Sequence, residues 1–289
     1  MSLAAFLDAH RAVVRVALGR VRGSSPREAG TEMFVADTDL HGTIGGGRLE
    51  YMAIARAREM LREGILGDRM DLPLGPEIGQ CCGGRVEVTL ARMGARDRAA
   101  AHARDEAARA AAPEVLIFGA GHVGRAIADL MQHMPVRAVL LDTRPEELGR
   151  ATARVEMRVS VLPEADVALA GRGAAFIVAT HDHALDFLVA DAALARGDAA
   201  YVGLIGSRTK RAKFDRFVRD HGTAADSARL TCPIGAGPSR DKRPAIIAAC
   251  VTAEVMTALT TTAAAGPRLE TPCRGMDTRG AAIREVPRG

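Results

Sequence analysis

The chain of 289 residues contains no tryptophan, and aromatic residues make up only 3% of it. Proteins that bind single-stranded nucleic acid stack bases on aromatic side chains, so this shortage argues against a nucleic-acid partner. The net charge of +4 is too small an excess to indicate DNA binding. Nearly all the cationic side chains are arginine, which pairs with small anions through a fork of N–H donors.

An export signal and long apolar runs are also lacking. The N-terminal segment "MSLAAFLDAHRAVVRV" is interrupted by Asp8, His10 and Arg11, so it does not have the apolar centre of a signal peptide. No run reaches the roughly 18 apolar residues of a membrane span. The five cysteines are an odd number. We therefore expect a cytoplasmic protein with reduced thiols and no membrane partner.

Two adjacent cysteines, Cys81 and Cys82, lie between glycines in "GQCCGGRVEV". Consecutive α-carbons are about 3.8 Å apart, whereas a disulfide usually needs about 4.4 Å or more, so the pattern predicts two thiols. On extended backbone the two side chains point to opposite faces, which leaves one of them for a ligand. The alternative is that both thiols pack into the core.

The first part of the sequence predicts an α+β domain. The patterns predict strands at 12–23 and 85–93, two short strands around an Asp-Thr-Asp turn within 31–45, and a helix at 48–61. The stretch 94–113 has helix-forming residues without a convincing apolar stripe, and Pro113 ends it. We interpret this stretch as a helical linker and place the domain boundary at its end.

A glycine motif opens the second part. The apolar strand "EVLIF" leads into Gly119, Gly121 and Gly124 with the spacing G-x-G-x-x-G, followed by a helix. The first glycine allows a tight turn, the second lets the backbone approach a phosphate, and the third lets the helix pack closely on the strand. The next strand ends on Asp142, where an acid can bond a ribose hydroxyl. The alternative is a glycine turn without a ligand.

Strands and helices alternate through the rest of this part, which predicts an open parallel sheet with ligands at the carboxyl ends of its strands. The fold class is therefore α/β: an N-terminal α+β domain followed by a Rossmann-like, doubly wound parallel-sheet domain. The predicted boundaries are 1–112 for the first domain with its helical linker, 113–262 for the second, and 263–289 for a poorly ordered tail.

Two further motifs follow strands of this predicted sheet. His181, Asp182, His183 and Asp186 combine imidazoles and carboxylates that suit a metal ion, although Asp182 equally suits the N-cap of the next helix.

The second of these motifs is "GLIGSRTKRAKF". In it, Ser207 and Arg208 open a helix that also carries Lys210 and Arg211. The free amides at such a helix start suit an anion, and Arg208 could add a bidentate contact. A solvated basic helix is the alternative.

The motifs as a set resemble those of xanthine dehydrogenase accessory proteins of the XdhC/CoxI family. The resemblance rests on "RGSSPREAGTEMFV", "GTIGGGRLEY", "GQCCGG", "VLIFGAGHVGRAIA", "LLDTRPEE", "YVGLIGSRTKRAKF" and "TCPIG" with the later "KRPAIIAACVTAEV". These segments occur in order from about residue 13 to residue 256. The resemblance is therefore far more specific than an isolated glycine motif.

This resemblance implies a chaperone and not an enzyme. Such a protein binds the molybdenum cofactor (molybdopterin), shelters it while a cysteine desulfurase installs the terminal sulfur ligand, and inserts it into apo xanthine dehydrogenase. The implied partners are those two proteins and the proteins of molybdenum cofactor biosynthesis. A homodimer, and a nucleotide in the Rossmann-like pocket, are left open.

The candidate cofactor-binding residues combine thiols, glycine turns and a basic helix start. They are Cys81, Cys82, Gly45, Gly46, Gly47, Gly119, Gly121, Gly124, Asp142, Ser207 and Arg208, with Cys82 as the candidate molybdenum contact. Thiolate is a soft ligand, and glycine turns offer backbone N–H donors to phosphate. Relatives often carry cysteine where this chain has Arg48, so any thiol role moves to the adjacent pair. The segment "AGPSRDKRP" after "CPIG" departs from the usual glycine-containing loop.

Two other functions remain open at this point. An NAD(P)-dependent oxidoreductase would use the same glycines and Asp142, but it also needs a proton donor, and no residue marks one convincingly. A ligand-free assembly adaptor would bind no small molecule at all. Ligand extraction separates the three, because it would yield molybdopterin, a nicotinamide nucleotide or neither.

Overall fold

The computed structural model describes residues 2–23, 27–73, 84–221, 226–237 and 241–264. The chain divides into two compact units, Met1–Ala111 and Ala112–Gly289. The elements of the first unit are α1 (Leu3–Ala9), β1 (Val14–Arg22), β2 (Glu32–Val35), β3 (Leu40–Gly42), α2 (Gly47–Glu63), β4 (Gly67–Pro73), β5 (Arg85–Arg92) and α3 (Ala95–Ala110).

The first unit is built on an antiparallel sheet with the strand order β3-β2-β1-β5-β4. Strands β1 and β5 bury every second residue, so one face of the sheet is apolar. Helix α2 covers that face with Leu49, Ala53, Ala57 and Met60, which recur at helical spacing. The predicted α+β arrangement is therefore present, with β4 as an edge strand that the sequence patterns did not reveal.

Helix α3 is the segment predicted to be a linker. It buries only Ala101 among its residues, which explains the missing apolar stripe. Its attachment is polar: the Arg98 guanidinium donates hydrogen bonds to the carbonyl oxygens of Leu7, His10 and Arg11 at 2.6, 2.7 and 2.8 Å. Helix α3 thus belongs to the first unit: Arg98 binds it to the end of α1, and Ala101 packs in the same core cluster as Leu3 and Phe6.

The second unit alternates strands and helices. Its elements are β6 (Glu114–Phe118), α4 (His122–Met131), β7 (Arg137–Asp142), α5 (Pro145–Leu148), β8 (Glu156–Val159), α6 (Pro163–Leu169), β9 (Ala175–Val178), α7 (His183–Ala195), β10 (Tyr201–Leu204), α8 (Arg208–Asp220), β11 (Leu230–Thr231) and α9 (Pro244–Ala264).

The sheet of the second unit has the order β8-β7-β6-β9-β10-β11, and every pairing in it is parallel. This is the doubly wound order of a Rossmann fold, so the predicted fold class is confirmed. The central strands are buried on both faces, with apolar clusters above and below the sheet. The order reverses between β6 and β9, which creates a crevice at their carboxyl ends.

One described helix, within α9, is long and apolar enough to cross a membrane by length and composition, over Pro244–Thr261. In the structure its residues Ala248, Val251, Val255 and Leu259 lie in the core cluster that also contains Ile127 and Met131 of α4. The spacing of the four residues forms one stripe along the helix. That stripe packs onto the domain as a core helix does.

The polar attachment of α3 yields a stability prediction. Arg98→Ala removes three charge-assisted hydrogen bonds and should lower the free energy of unfolding of the first unit by about 1.5–3 kcal/mol. Arg96→Ala, on the exposed side of the same helix, is the matched control and should change it by less than about 0.5 kcal/mol. Urea denaturation measures both values, and equal effects would show that Arg98 does not fasten α3.

Candidate functional site

The three glycines of the motif have three different surroundings at the end of β6. Gly119 has a φ of +109°, and a Cβ there would collide with the carbonyl of Ala179. A Cβ on Gly124 would collide with the carbonyl of Gly119, because helix and strand pack closely there. A Cβ on Gly121 would have no atom within 4 Å. The space beside Gly121 is therefore open, as a site for an approaching phosphate requires.

Asp142, at the end of β7, is buried and fully engaged with the protein. Its Oδ2 accepts hydrogen bonds from the Ala120 amide at 2.7 Å and from Arg144 Nη2 at 3.1 Å. Its Oδ1 accepts from the amide and the Nε of Arg144 at 2.9 and 3.0 Å. A carboxylate offers about four lone-pair sites, so none is left for a ribose hydroxyl.

The charge of Asp142 is set by two opposing effects. Burial by itself raises its pKa, but the hydrogen bonds from the Arg144 side chain and from the backbone amides of Ala120 and Arg144 outweigh burial and bring the pKa below its ordinary value. The carboxylate is therefore ionised at neutral pH and holds the glycine loop against β7. It acts as a structural clasp in the loop, which differs from the ribose contact that the sequence predicts for it.

Two cavities lie at the carboxyl edge of the parallel sheet. The first, which we call the apolar slot, is a narrow cleft at the ends of β6, β7, β8 and β9 with about 10 Å³ of free volume, room for about one water molecule. Its lining residues are Phe118, Gly119, Leu141, Asp142, Thr143, Ser160, Pro163, Thr180, His181 and Leu185. The slot lies beside the glycine loop and is walled mainly by carbon atoms.

The second cavity, which we call the basic pocket, is larger. It contains about 860 Å³ of space, part of which is open to solvent. It lies at the ends of β9 and β10 and is lined by Thr180, His183, Phe187, Ile205, Gly206, Ser207, Thr209, Lys210 and Lys213. Hydroxyl groups and two lysines face an apolar wall there. Such a mixture suits an anionic ligand with a flat ring system.

A buried ion pair forms the inner wall of the basic pocket. Lys210 Nζ donates to Asp186 Oδ2, and Asp186 is fully buried. The other oxygen, Oδ1, accepts from the amide and the hydroxyl of Thr180 at 3.0 and 2.7 Å. The pair therefore joins the end of β9 to α7 and α8.

The structure favours the capping interpretation of the His-Asp-His motif. Asp182 accepts a hydrogen bond from the Ala184 amide at 2.7 Å as the N-cap of α7. Asp186 is occupied by Thr180 and Lys210, and no group of three metal-binding side chains occurs in the part of the chain that the structure describes. His183 contributes to the wall of the basic pocket instead.

At the start of α8 the structure separates the two predicted residues. Ser207 lines the basic pocket and caps the helix, accepting from the Lys210 amide at 3.3 Å. Arg208 is exposed and is not part of the pocket lining. Lys213, which the sequence interpretation missed, does line the pocket, one helical turn beyond Lys210. The i, i+3 spacing of the two lysines was the available signal.

Arg211 has a structural role. It bonds Asp215 and the carbonyl oxygens of Ser227 and Leu230, which fastens α8 to the segment before β11.

The turn at Gly45, Gly46 and Gly47 belongs to the first unit. The Gly46 amide donates to Glu50 Oε2 at 3.1 Å and the Gly45 amide to Thr43 Oγ1 at 3.1 Å, so these two amides are already occupied. Burial raises the pKa of Glu50, but hydrogen bonds from the Thr43 hydroxyl and the turn amides outweigh burial and lower it overall. The glycine turn thus binds its own carboxylate.

The paired thiols Cys81 and Cys82 lie outside the described residues, and their role stays a prediction. The described thiols are Cys232 and Cys250, both half-buried and free. Burial raises the pKa of Cys232, and the charges of Lys210 and Arg211 act against that rise without cancelling it. Cys232 is therefore a neutral thiol at pH 7 and a weak soft ligand.

The fold and site define a two-unit α/β protein that carries a ligand crevice in a Rossmann-type unit. The family model for the XdhC and CoxI family matches residues 6–67, and that for the XdhC Rossmann domain matches residues 115–255. The chain therefore belongs to the XdhC/CoxI family, and the resemblance found in the sequence is confirmed.

The chain is similar to two further proteins. It is 29% identical over 246 residues to the uncharacterized protein YqeB of Escherichia coli strain K12, a match that covers 81% of this chain and 41% of that protein. A solved structure described as a xanthine dehydrogenase from Bacillus halodurans superposes with a TM-score of 0.74 at 18% identity, covering 92% of this chain and 98% of that one. At this identity the structural match supports the fold alone.

The surroundings of the glycines predict opposite phenotypes for two substitutions. Gly124→Ala should lower the melting temperature by several degrees or prevent folding, because its Cβ meets backbone. Gly121→Val should leave the circular dichroism spectrum and melting temperature close to the parent's. It should nevertheless reduce the retention of a phosphate-bearing ligand, because the valine side chain fills the open space beside the loop. A folded Gly121→Val variant with full retention would contradict a ligand at this glycine.

The pocket lining predicts which cation on α8 binds an anion. Lys213→Ala should weaken pyrophosphate binding by about tenfold and flatten its salt dependence. Arg208→Ala removes an equal charge from the same helix but outside the pocket, and should weaken binding by less than about twofold. Calorimetric titration at two salt concentrations measures both. Equal losses would mean that α8 attracts anions only through its overall charge.

Proposed function

We propose that this protein is a molybdenum cofactor chaperone that binds molybdopterin, protects it during sulfuration and inserts it into apo xanthine dehydrogenase. The observation that carries the proposal is the basic pocket at the carboxyl edge of the Rossmann-type unit, in a chain that belongs to the XdhC/CoxI family. In this proposal molybdopterin binds in that pocket. The protein itself performs no turnover.

The residues of the basic pocket fit this cofactor by their chemistry. Molybdopterin carries a terminal phosphate, and Lys213, Thr209 and Ser207 offer a cation and two hydroxyl donors to it. Phe187 and Ile205 form an apolar wall against which a flat pterin ring can lie. When bound, the cofactor would supply the dithiolene that holds molybdenum.

Lys210 holds the pocket in shape and is not itself a free phosphate ligand. Its ammonium is paired with the buried Asp186, and that carboxylate also accepts from Thr180. The pair keeps α7 and α8 at a set separation, so the pocket is formed before the ligand arrives. A preformed pocket binds with less loss of conformational entropy.

The partners in this proposal are the cysteine desulfurase, the proteins of molybdenum cofactor biosynthesis and the apo enzyme that receives the cofactor. We place these exchanges in the cytoplasm, where thiols stay reduced. A thiol near the cofactor would guard its sulfur ligand, and Cys82 is our candidate for a molybdenum contact.

A second function, that of an NAD(P)-dependent oxidoreductase, is favoured by one observation, the open space at Gly121 beside the apolar slot. Two observations weigh against it. Asp142 has no acceptor site left for a ribose hydroxyl. Lys210, the lysine nearest the strand ends, is paired with Asp186. Hydride transfer with a nicotinamide nucleotide would also need a proton donor in the basic pocket.

The proposed function predicts the ligand that is purified with the protein. After anaerobic purification from cells that make molybdenum cofactor, the chain should contain about one molybdenum and one pterin per molecule, and it should activate apo xanthine dehydrogenase in a purified transfer assay. Cys82→Ala should lose both properties, while Cys81→Ala, the matched control, should keep them, because adjacent side chains on extended backbone point to opposite faces.

Two results would contradict this prediction. Extraction of a nicotinamide nucleotide without pterin would support the oxidoreductase instead. If both cysteine variants keep full cofactor content and transfer, the thiol hypothesis is wrong, and phosphate and pterin contacts alone retain the ligand. Melting temperatures separate a lost contact from a loss of folding.

A further inference from the structure

Strand β1 of the first unit has a β-bulge near its end, and the bulge changes which side chains face outward. Between Leu18 and Val21, β1 has one residue more than the part of β5 that pairs with it. Strict alternation from Leu18, which is buried, would turn Arg20 and Arg22 toward the core. Because of the extra residue, Val21 packs against the core cluster instead, and both arginines are exposed on the outer face of the sheet.

The two arginines of β1 line a small cavity on this outer face, which we call the arginine cavity. Its other lining residues are Asp71 on β4 and Arg85 and Glu87 on β5, so every residue of the lining is charged. The cavity has about 80 Å³ of free volume, whereas one water molecule needs about 10–15 Å³ by the same measure. It therefore has room for a small polyatomic ion.

Both carboxylates of the arginine cavity already have arginine partners. Asp71 accepts hydrogen bonds from the Arg85 guanidinium at 2.7 and 2.8 Å. Glu87 lies 3.2 Å from the Nε of Arg69, on β4. The side chains of the two arginines of β1, by contrast, form no hydrogen bond or ion pair with any residue that the structure describes. Two positive charges are therefore left over in the arginine cavity.

The charge of Arg22 acts on the inside of the cavity. The hydrogen bonds from Arg85 lower the pKa of Asp71, and a small effect of burial opposes them. The charges of Arg85 and Arg22 lower that pKa further. A second anion placed beside Arg22 would be stabilised by the same charge.

Guanidinium groups around a small cavity suit an oxyanion. Each guanidinium presents planar N–H donors in a fork that matches two oxygens of one phosphate. A phosphoryl group carries a charge of about −1.5 to −2 at pH 7, which balances the two positive charges left over. A carboxylate carries only one negative charge and leaves part of this excess uncompensated.

We propose that the arginine cavity binds a phosphoryl dianion between Arg20 and Arg22, beside Arg85, which Asp71 holds in place. The ligand is inorganic phosphate or the terminal phosphate of a larger molecule that extends into solvent. The site lies within the first unit. It is therefore separate from the basic pocket and does not depend on the proposed binding of molybdopterin there.

Protection of individual arginines detects binding at this site apart from the basic pocket. Phenylglyoxal modifies accessible arginine side chains, and mass spectrometry of the digested full chain locates each modification. With a dissociation constant of about 1 mM, inorganic phosphate at about 10 mM should slow the modification of Arg20 and Arg22 about tenfold. The matched control is Arg62, an exposed arginine on α2, which covers the opposite face of the sheet, and its modification rate should not change.

Calorimetric titration with inorganic phosphate measures what each side chain contributes. The Lys213→Ala background is used, because it weakens anion binding in the basic pocket. Arg22→Ala in this background should weaken phosphate binding about tenfold, because it removes a charge-assisted contact. Arg62→Ala removes an equal charge on the other side of the sheet and should change the affinity by less than about twofold.

Asp71→Asn should have the opposite effect and tighten phosphate binding by about threefold or more. It removes a negative charge from the lining and releases the Arg85 guanidinium to the anion. Asp37→Asn, at an exposed position between β2 and β3 and outside the lining, is the matched control and should bind phosphate like the parent. A gain of affinity cannot result from a loss of folding.

Two further anions test the charge and the source of the ligand. Acetate, which has one negative charge, should bind at least about tenfold more weakly than phosphate. Glycerol 3-phosphate that binds as tightly as inorganic phosphate, or more tightly, indicates the terminal phosphate of a larger molecule, and weaker binding indicates the free ion. Both results agree with a phosphoryl site.

Three outcomes would overturn the proposal. The first is that phosphate protects neither Arg20 nor Arg22 from phenylglyoxal. The second is an equal loss of affinity in Arg22→Ala and Arg62→Ala, which would make the arginine cavity part of a solvated basic face. The third is weaker phosphate binding in a folded Asp71→Asn variant. Molybdenum and pterin content, measured on the same preparations, reports separately on the proposed function.

Discussion

The buried pair of Asp186 and Lys210 is the interaction on which the site of this protein depends. It joins three separate elements, because Asp186 comes from α7, Lys210 from α8, and Thr180 from the end of β9. Removing one partner of such a pair leaves an uncompensated charge in the interior and typically costs about 3–5 kcal/mol. A well-packed apolar pair could hold the same helices together. What the charged pair adds is a lysine in the wall of the basic pocket whose positive charge is neutralised by Asp186.

A second carboxylate plays a similar part on the other side of the switch point. Asp142 accepts from the Ala120 amide inside the glycine loop and from Arg144 beyond β7, so it holds the loop closed over the end of its neighbouring strand. Its lowered pKa follows from those donors. In both halves of the crevice, then, a buried acid is used to build the site. The basic pocket is left with hydroxyl groups and Lys213, which suit the anionic ligand of the proposed function.

The open basic pocket agrees with the proposed function of a ligand carrier in a member of the XdhC/CoxI family. A carrier must release its ligand to a client, so moderate contacts from hydroxyls and exposed lysine serve it better than a closed cage of ligands. The basic pocket is open to solvent and fits this requirement.

The sequence by itself determined the fold class, the glycine motif and the position of the basic helix start. These features depend on the periodicity and the residue spacing within one segment. They can therefore be recognised without knowing which segments pack around it. It also marked Asp182 as a cap, because a cap depends only on the following turn. The edge strands β4 and β8 were missed, because neither has a fully buried residue and both therefore resemble loops.

Only the tertiary structure decided what the polar residues do. Asp142, which the sequence places where an acid can bond a ribose, accepts hydrogen bonds from Ala120 in the glycine loop and from Arg144, two residues along the chain. Arg208 and Lys213 are alike in composition, and only the direction in which each leaves α8 separates a solvated cation from a pocket residue. Arg98 joins the helical linker predicted at the end of the first domain to that domain's start, through bonds to residues nearly ninety positions away. Long-range pairs of this kind leave no periodic trace in a sequence, because they depend on where distant segments meet in space and not on the order of neighbouring residues.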